Sequence, residues 1–406
     1  MTLEIEEALA LIAHHIPAVT THLLPIEQAV GAVLAQDVVA SIDLPRFDNS
    51  AMDGYAVQLA QAGTVQSVSP TIFAGDTYKT HDFAQGIVKI MTGAAIPQGC
   101  EAIVPIEEVT HLEEQVKLPA SIKAGAHIRR KSEDIAAGKV LLERGMRLGG
   151  YQLALLASQG ITHVRTYRKP KVAVFATGEE LKMHFEPLQA HNIYNSNTPA
   201  LLGRAIELGC DVVFVGSAKD DKSDIAHHIH TALEADLVVT SGGVSVGDAD
   251  FTKGVFGEFG IDYLFEHINI KPGKPTSFGR IGKTWVLNLP GNPLAALINF
   301  ELFGRAAIAK LSGRKGHFIG TVHTVAHTDF RIKKGRVTVV PGVWDGKGFA
   351  ASTHYGPGML APLIDANAFV ILGESVERVV KGTPLFIISM DSAVDVQTMA
   401  LLVNDF

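Results

Sequence analysis

The sequence predicts a multidomain α/β protein whose central domain has three layers, with a parallel sheet between helices. The chain has 406 residues, so roughly two to four domains are expected. Between residues 169 and 316, the apolar runs KVAVFAT, CDVVFVG and DLVVT alternate with helical patterns, which is typical of a sheet covered on both faces. Residues 46–134 and 317–406 instead contain short β-branched runs separated by Gly and Pro, and these predict two smaller β domains.

The remaining residues, 1–45 and 135–168, are predicted to form a helical linker region that also serves dimerisation. Ile5, Leu9, Ile12 and Ile16 recur at spacings of four, three and four, so they mark one face of an amphipathic helix that Pro17 ends. The run LGGYQLALLASQG predicts a second helix. If this helix packs back on the first, residues 46–134 are an insertion in the linker.

Composition excludes several classes of protein. With 47% hydrophobic and 19% charged residues, the chain has no apolar run near the ~20 residues that a membrane span needs. A net charge of -7 argues against nucleic acid as a partner. Glu4, Glu6 and Glu7 stand where a targeting peptide carries positive charge, so we expect a cytoplasmic protein. Cys100 and Cys210 are too few for a disulfide framework.

Polar loops follow the predicted strands of the central domain. Ligands of parallel α/β sheets bind at the carboxyl ends of the strands, because backbone N–H groups and helix N-termini converge there. The sequence places five polar segments at such positions: TGEE (177–180), KDD (219–221), SGGVSVGDAD (241–250), KPGKP (271–275) and LPGNP (289–293).

The segment SGGVSVGDAD has the composition of an anion-binding loop. Gly242, Gly243 and Gly247 permit positive φ angles and close backbone approach to a ligand, while Ser241 and Ser245 add hydroxyl donors. It matches neither the Walker A loop nor G-x-G-x-x-G. Taken alone, such a loop is more often a structural turn, and that alternative stays open.

Acidic residues near this loop indicate a metal. Asp248 and Asp250 would repel a neighbouring phosphate unless a divalent cation lay between them. Glu180, Asp220 and their neighbours reach the same rim, so the set is suited to Mg²⁺. The alternative is that each acid caps its own helix.

Two further segments offer cations and a helix start. Lys271 and Lys274 flank a Pro-Gly turn, which is either an anion clamp or a solvated turn. In LPGNP, Asn292 is expected as an N-cap with Pro293 in the first helical turn. That interpretation is structural, although the same N-terminus, with Pro290, can face a ligand.

The predicted inserted β domain has a polar cluster of its own. PRFDNSAMDGYAV (45–57) contains more polar side chains than a junction requires, and MTGAAIP (91–97) follows a strand-like run. RRKSEDI (129–135) adds three cations beside two acids. A tight turn and a salt-bridged surface are the alternatives to an anion and metal site.

Taken together, FDNSAMDGYA, MTGA, EDI, TGEEL, SGGVSVGDADF, KPGKP and LPGNP resemble, in order and spacing, the molybdopterin molybdenumtransferase family. These MoeA-like proteins include the C-terminal domain of gephyrin, and the resemblance covers essentially the whole chain. It implies a helical linker region, an inserted β domain, a MogA-like molybdopterin-binding α/β domain and a C-terminal β-barrel-like domain. It also implies a homodimer in which the partner subunit completes a cleft.

The resemblance implies a reaction and roles for individual residues. Molybdate is inserted into adenylylated molybdopterin in a Mg²⁺-dependent step that releases AMP and molybdenum cofactor. The catalytic positions are Asp53, Thr92, Asp134 and Lys271, and the metal ligands are Glu180, Asp220 and Asp250. The cofactor-binding positions are Glu180, Asp220, Ser241, Gly242, Gly243, Ser245, Lys274, Pro290 and Asn292. The implied partners are the molybdopterin adenylyltransferase and apo-molybdoenzymes.

Two positions depart from the pattern of the family. His267 stands where some relatives have a second lysine, so one cation is expected to depend on pH. Pro357, in HYGPGML, replaces a serine hydroxyl, which leaves Arg336 as the expected contact of that domain. The alternatives to the insertase are a gephyrin-like scaffold or cofactor carrier, and a different enzyme on the same α/β domain, such as the adenylyltransferase or a pyrophosphatase.

Overall fold

A computed structural model describes residues 2–76, 81–243, 251–316 and 319–390. The chain divides into two compact units, each described by itself below. One comprises residues 1–36, 144–153 and 163–406, and the other comprises residues 37–143 and 154–162. Within the described residues, none of the helices combines the length and the apolar character that crossing a membrane requires.

The first unit begins with the predicted amphipathic helix. Strand β1 (Thr2–Leu3) precedes helix α1 (Ile5–His15), and strand β2 (Thr21–Pro25) follows it. Glu4 and Glu7 form a reciprocal capping box at the start of α1, which satisfies backbone N–H groups that have no partner inside the helix. The predicted apolar face is buried, which confirms this element.

The second unit is rich in β structure, as the sequence predicts. Its six-stranded sheet has the order β8-β5-β7-β6-β10-β9, and only β6 and β7 pair in parallel. Alternate residues of β5 pack into two different cores, because side chains of a strand alternate between faces. Helix α2 (Gly150–Ser158) follows the strands along the chain; residues 154–158 belong to this unit and residues 150–153 to the first. The strands are β3 (Val38–Val39), β4 (Asn49–Ser50), β5 (Gly54–Val57), β6 (Val65–Ile72), β7 (Ile87–Ile90), β8 (Ala102–Pro105), β9 (Thr110–Leu112), β10 (Gln115–Lys117), β11 (Ile128–Arg129) and β12 (Val140–Leu142).

The α/β part of the first unit contains the predicted parallel sheet. Its strand order is β17-β14-β18-β22-β21-β19; the first four strands are parallel, and β21 and β19 extend the sheet in antiparallel orientation. The strands are β13 (His163–Tyr167), β14 (Lys171–Thr177), β15 (Leu181–Lys182), β16 (Ile193–Tyr194), β17 (Asp211–Ala218), β18 (Leu237–Ser241), β19 (Asp262–Phe265), β20 (His267–Ile268), β21 (Ser277–Ile281) and β22 (Thr284–Leu289). The helices are α3 (Asn197–Glu207), α4 (Lys222–Ala232), α5 (Phe251–Glu258), α6 (Pro293–Asn299) and α7 (Arg305–Leu311), with a π-helical turn (Phe300–Gly304) between the last two.

Helices cover both faces of this sheet, which gives the predicted three layers. Val172 and Val174 of β14 lie in a core with residues of α1, α3, α6 and α7. Ala173 and Phe175, on the other face, lie in a core with residues of α4 and α5. Continuous apolar runs therefore suit these strands, because neither face meets water.

The C-terminal part of the first unit is a five-stranded antiparallel sheet with the order β23-β29-β27-β25-β26. Its elements are β23 (Thr321–Val325), β24 (Phe330–Arg331), β25 (Thr338–Trp344), β26 (Phe349–Ala351), α8 (Ala361–Asp365), β27 (Ala368–Leu372), β28 (Arg378–Val379) and β29 (Pro384–Ser389). The strand-like runs RVTVVPGVW, AFVILG and TPLFIISM of this region correspond to β25, β27 and β29. Strands β23 and β26 were not predicted, because β23 mixes Val with Thr and His and β26 has only three residues.

An ion pair fixes the entry to β14. The Arg168 guanidinium donates to both carboxylate oxygens of Asp236 at 2.6 Å, and the backbone N–H of Lys171 donates to the same carboxylate at 2.8 Å. Burial alone would raise the pKa of Asp236, but these hydrogen bonds outweigh it and hold the pKa below its usual value. The ionised form of Asp236 therefore stabilises the fold.

We expect Asp236→Asn to lower the free energy of unfolding by about 2 kcal/mol at pH 7, because Arg168 is left without its counter-ion in a half-buried position. A carboxyl with a depressed native pKa stabilises above its unfolded pKa of about 3.9, and this contribution is lost as the pH falls through the native pKa. Urea unfolding at several pH values checks this. If the difference in the free energy of unfolding between Asp236→Asn and wild type is as large at pH 2 as at pH 7, the prediction is wrong.

Candidate active site

The second unit holds one pair of predicted catalytic residues in direct contact. Asp53 lies between β4 and β5, and Thr92 lies two residues after the end of β7, which pairs with β5. The N–H and the hydroxyl of Thr92 each donate to Oδ1 of Asp53 at 2.7 Å. The backbone bond and then the hydroxyl bond hold the pKa of Asp53 below its usual value. The pair therefore presents an ionised carboxylate in a fixed position at the end of a strand.

Asp134 lies in a cavity of the same unit. The cavity has a volume of about 540 Å³, and its lining includes Asp134, Glu133 and Arg129. The backbone N–H of Asp134 donates to the Leu44 carbonyl at 3.0 Å. Within the described ranges, no hydrogen bond joins Asp134 to Asp53 or Thr92, so its catalytic role stays a prediction.

Two of the three cations of RRKSEDI form salt bridges, as the alternative of a salt-bridged surface predicts. Arg130 forms an ion pair with Asp48 at 2.7 Å, and Lys131 forms one with Asp43 at 3.2 Å. The hydrogen bond from the Lys131 backbone N–H, together with Arg130, holds the pKa of Asp48 below its usual value. These two cations therefore have structural partners.

In the first unit, two predicted motifs meet at the carboxyl edge of the parallel sheet. Ser241 ends β18, and its hydroxyl donates to the Pro290 carbonyl at 3.2 Å. The amide Nδ2 of Asn197, at the start of α3, donates to Ser241 Oγ at 2.7 Å and to the Gly291 carbonyl at 2.8 Å. Asn197 thus joins the segments SGG and LPGNP into one surface.

The glycines of this turn are required by the backbone. Gly242 and Gly243 have φ angles of +99° and +62°, a region that side chains disfavour. A Cβ atom on Gly242 would lie 2.4 Å from the Thr177 carbonyl oxygen, and one on Gly243 would lie 2.0 Å from Thr252 Oγ1. The chain therefore passes too close to its neighbours for any side chain.

Among the residues that the structure describes, two buried polar atoms beside this turn have no hydrogen-bond partner. They are Thr177 Oγ1 and Asn197 Oδ1, on side chains of residues that are 4% and 7% exposed. The cost of burying an unsatisfied polar group is about 1–3 kcal/mol. Buried polar atoms of this kind usually have a ligand or an ordered water as their partner. We call Thr177, Asn197 and Ser241–Gly243 the polar cradle.

The predicted lysine turn is held through its backbone. The Lys271 N–H donates to the Val337 carbonyl, and the Lys271 carbonyl accepts from Val339 N–H, both at 2.8 Å. The buried Asn299 donates from Nδ2 to the Pro272 carbonyl at 3.1 Å. The Lys274 carbonyl accepts from the Ile268 N–H at 3.0 Å. The two ammonium groups therefore extend from a turn that packing fixes, rather than from a loose loop.

Some of the acidic residues near this edge of the sheet have structural roles, and others have none that the described contacts show. Asp221 caps α4, because its Oδ1 accepts from the Ser223 and Asp224 N–H groups, and Asp224 accepts from the Lys219 N–H at 2.7 Å. Glu180 and Asp220, two of the three predicted metal ligands, cap no helix in the part of the chain that the structure describes. Among the described residues there is no group of three His, Cys, Asp or Glu side chains able to hold a metal. The predicted residues Ser245 and Asp250 lie outside the described residues.

Helix α6 starts where the sequence predicts. Asn292 occupies the N-cap position and Pro293 the first helical position, but the Asn292 side chain makes no capping hydrogen bond. Instead, the Leu294 N–H donates to the Pro357 carbonyl at 2.9 Å. The predicted positions of Asn292 and Pro293 are therefore confirmed, and a backbone carbonyl of the C-terminal part, rather than the Asn292 side chain, supplies an acceptor to the first turn.

Two residues of the polar cradle were missed from the sequence. No functional role was predicted for Asn197, and Thr177 was only the first residue of TGEE. What identifies such residues is contact between parts of the chain that are far apart in sequence. Asn197, for example, donates to the carbonyl of Gly291, which lies 94 positions away. No local pattern reports such a contact.

Known proteins match most of the chain. Residues 3–160 match the MoeA N-terminal region (domain I and II), residues 173–310 match a probable molybdopterin binding domain, and residues 324–389 match the MoeA C-terminal region (domain IV). The chain is 37% identical over 382 residues to the molybdopterin molybdenumtransferase of Haemophilus influenzae, covering 91% of this chain and 94% of the relative. It is 32% identical over 385 residues to the protein of that name from Bacillus subtilis, covering 91% and 89%.

Solved structures agree with this match. A crystal structure of the molybdopterin biosynthesis MoeA protein from Pyrococcus horikoshii superimposes with a TM-score of 0.83 at 31% identity, covering 97% of this chain and 100% of that chain. A second structure of that protein gives the same TM-score at 27% identity, covering 96% and 100%. The resemblance drawn from the seven motifs is thereby confirmed, and the chain belongs to the molybdopterin molybdenumtransferase family, whose members are transferases.

Proposed function

We propose that this enzyme inserts molybdate into adenylylated molybdopterin and releases AMP. The observation that carries the proposal is the polar cradle, where two buried polar atoms with no partner among the described residues adjoin glycines that admit close approach of a ligand. Its position at the carboxyl edge of a parallel sheet is where such folds bind phosphorylated ligands. The resemblance to the family is the reason for proposing this reaction, and the cradle is the proposed place for its substrate.

The residues divide into binding and reacting roles. The Ser241–Gly243 turn receives the phosphate end of the pterin, and Asn197 holds this turn against Gly291. Lys271 and Lys274 neutralise phosphate charge from a fixed turn, and Pro290 and Asn292 border the same edge. Asp53, oriented by Thr92, and Asp134 act on molybdate or on the phosphoanhydride bond. These assignments rest on the match of motifs.

Magnesium dependence is part of the proposal. Glu180 and Asp220 provide carboxylate oxygens, which are the ligands that Mg²⁺ prefers. The predicted third ligand, Asp250, lies outside the described residues, and the described acids alone do not form a three-ligand group. Mg²⁺, when bound, would neutralise phosphate charge. We also propose that the protein is a cytoplasmic homodimer.

One experiment tests the whole proposal. Purified protein is incubated with adenylylated molybdopterin, molybdate and Mg²⁺, and AMP is quantified by chromatography while the product is used to reconstitute an apo-molybdoenzyme. We expect AMP release that needs both molybdate and Mg²⁺ and stops with excess chelator. Tight binding of adenylylated molybdopterin without AMP release contradicts the proposal and favours a cofactor carrier.

We expect Lys271→Ala to weaken binding of adenylylated molybdopterin about tenfold or more, because one charged hydrogen bond to phosphate is lost. Thermal stability should change little, since the turn is held by backbone hydrogen bonds that alanine keeps. Titration calorimetry measures the affinity. Lys347→Ala, an exposed lysine of the turn between β25 and β26, is the matched control. If Lys271→Ala binds adenylylated molybdopterin with unchanged affinity, Lys271 belongs to a solvated turn and does not bind the phosphate.

A further inference from the structure

A second cavity of the first unit lies at the opposite edge of the parallel sheet from the polar cradle. Its volume is about 830 Å³, and its lining includes Lys171, the first residue of β14, and Asp211, the first residue of β17. The cradle contains Thr177, the last residue of β14. Seven strand residues rise about 20 Å, so the two sites are separate. We call this space the basic cavity.

The charge of the basic cavity is opposite to that of the chain. Its charged lining residues comprise one acid, Asp211, and the cations Arg147, Arg168, Lys169, Lys171 and Arg314, whereas the chain as a whole has a net charge of -7. A concave surface lined by one sign of charge raises the local concentration of ligands of the other sign. The chemistry of the cavity is therefore that of an anion site.

The cations of the basic cavity are not equivalent. Arg168 is neutralised by its bidentate ion pair with Asp236, and Lys171 lies 3.9 Å from Glu234. In the ranges that the structure describes, neither Arg147 nor Lys169 forms an ion pair, and both are exposed. These two side chains are thus available to bind a ligand, and together they match the double charge of a phosphate monoester.

The size and the remaining walls indicate an organic phosphate rather than a bare oxyanion. Small-molecule sites have volumes of about 300–1,000 Å³, far more than one tetrahedral ion fills. Val30, Leu208 and Val212 add apolar lining, and Val30 is 66% exposed. A ligand with an anionic group and a flat, weakly polar body fits both kinds of lining. We propose that the basic cavity binds a nucleoside monophosphate.

Photolabelling with azido-AMP tests the proposal on the full-length protein. Adducts mapped by mass spectrometry are expected on peptides that line the cavity, around residues 167–171 or 208–213. Unlabelled AMP should compete with labelling at a far lower concentration than inorganic phosphate or adenosine, and raised salt should weaken labelling because the cations are exposed. Equal competition by AMP and inorganic phosphate would mean that the cavity binds a bare oxyanion, and it overturns the proposal. Adducts confined to peptides of the polar cradle, around residues 241 and 290, overturn the proposal.

The double variant Arg147→Ala/Lys169→Ala should lower the affinity for AMP at this site about tenfold or more. Lys283→Ala is the matched control, because this exposed lysine directly precedes β22 at the same edge of the sheet but does not line the cavity. Thermal unfolding confirms that all variants fold. If the double variant changes the molar mass by light scattering and leaves AMP labelling intact, the cavity is a protein interface and the proposal is wrong.

Discussion

Replacing Asp53 by asparagine is expected to lower molybdate-dependent AMP release about 100-fold or more, with the fold intact. The Thr92 N–H and hydroxyl both donate to Asp53 Oδ1, so the amide that replaces this carboxylate keeps the shape of the contact and loses only the charge. Because those donors hold the pKa of Asp53 low, the reaction is expected to use the ionised form. The measurement is single-turnover AMP release with saturating adenylylated molybdopterin.

Two controls make this result specific. Asp82→Asn changes an exposed carboxylate of the same unit whose role is to cap a short helix, and its rate should equal that of wild type. Thr92→Val removes the hydroxyl donor but keeps the backbone N–H, so it should reduce the rate less than the Asp53 substitution does. If the Asp53→Asn enzyme turns over at the wild-type rate, the carboxylate of Asp53 takes no part in the reaction.

The second large effect is expected for Gly242→Ala, which should lower the free energy of unfolding by about 3 kcal/mol. Alanine disfavours the φ angle of +99°, and its Cβ would lie 2.4 Å from the backbone oxygen of Thr177. Backbone atoms of two strand ends would have to separate, so substrate binding at the polar cradle should weaken as well. Urea unfolding followed by the fluorescence of Trp285 and Trp344 measures the stability.

Gly254→Ala is the matched control for this substitution. Gly254 lies inside α5, its added Cβ meets nothing within 4 Å, and its φ angle is not positive. Alanine is the better helix former by about 1 kcal/mol, so this variant should be as stable as wild type or more stable. If both glycine substitutions change the free energy of unfolding equally, the close approach of Gly242 to Thr177 is not the reason why glycine is needed at position 242.

The parallel sheet was predictable because its strands are buried on both faces. The runs KVAVFAT and DLVVT are apolar throughout, and in the structure β14 and β18 lie between two cores. The two antiparallel strands at one side of the sheet carried no comparable signal. Their pairing depends on which strand ends lie next to each other, and a local sequence pattern does not contain that information.

The candidate site was predicted as separate motifs, whereas its contacts come from the fold. Asp53 and Thr92 were selected by resemblance, and their hydrogen bonds span 39 positions through the pairing of β5 with β7. Thr177 and Asn197 were missed because their defining property is burial without a partner. Burial of a polar side chain follows from tertiary packing, and the residue type alone does not reveal it.

The lysine turn has a consequence for local unfolding. Its main chain bridges to β25 through hydrogen bonds at Val337 and Val339, so the C-terminal sheet and Lys271 should open together. In amide hydrogen exchange, the N–H groups of Lys271 and Val339 are therefore expected to exchange at matching rates. Loosening the C-terminal sheet would then release the lysine turn, although no residue of that sheet need touch the substrate.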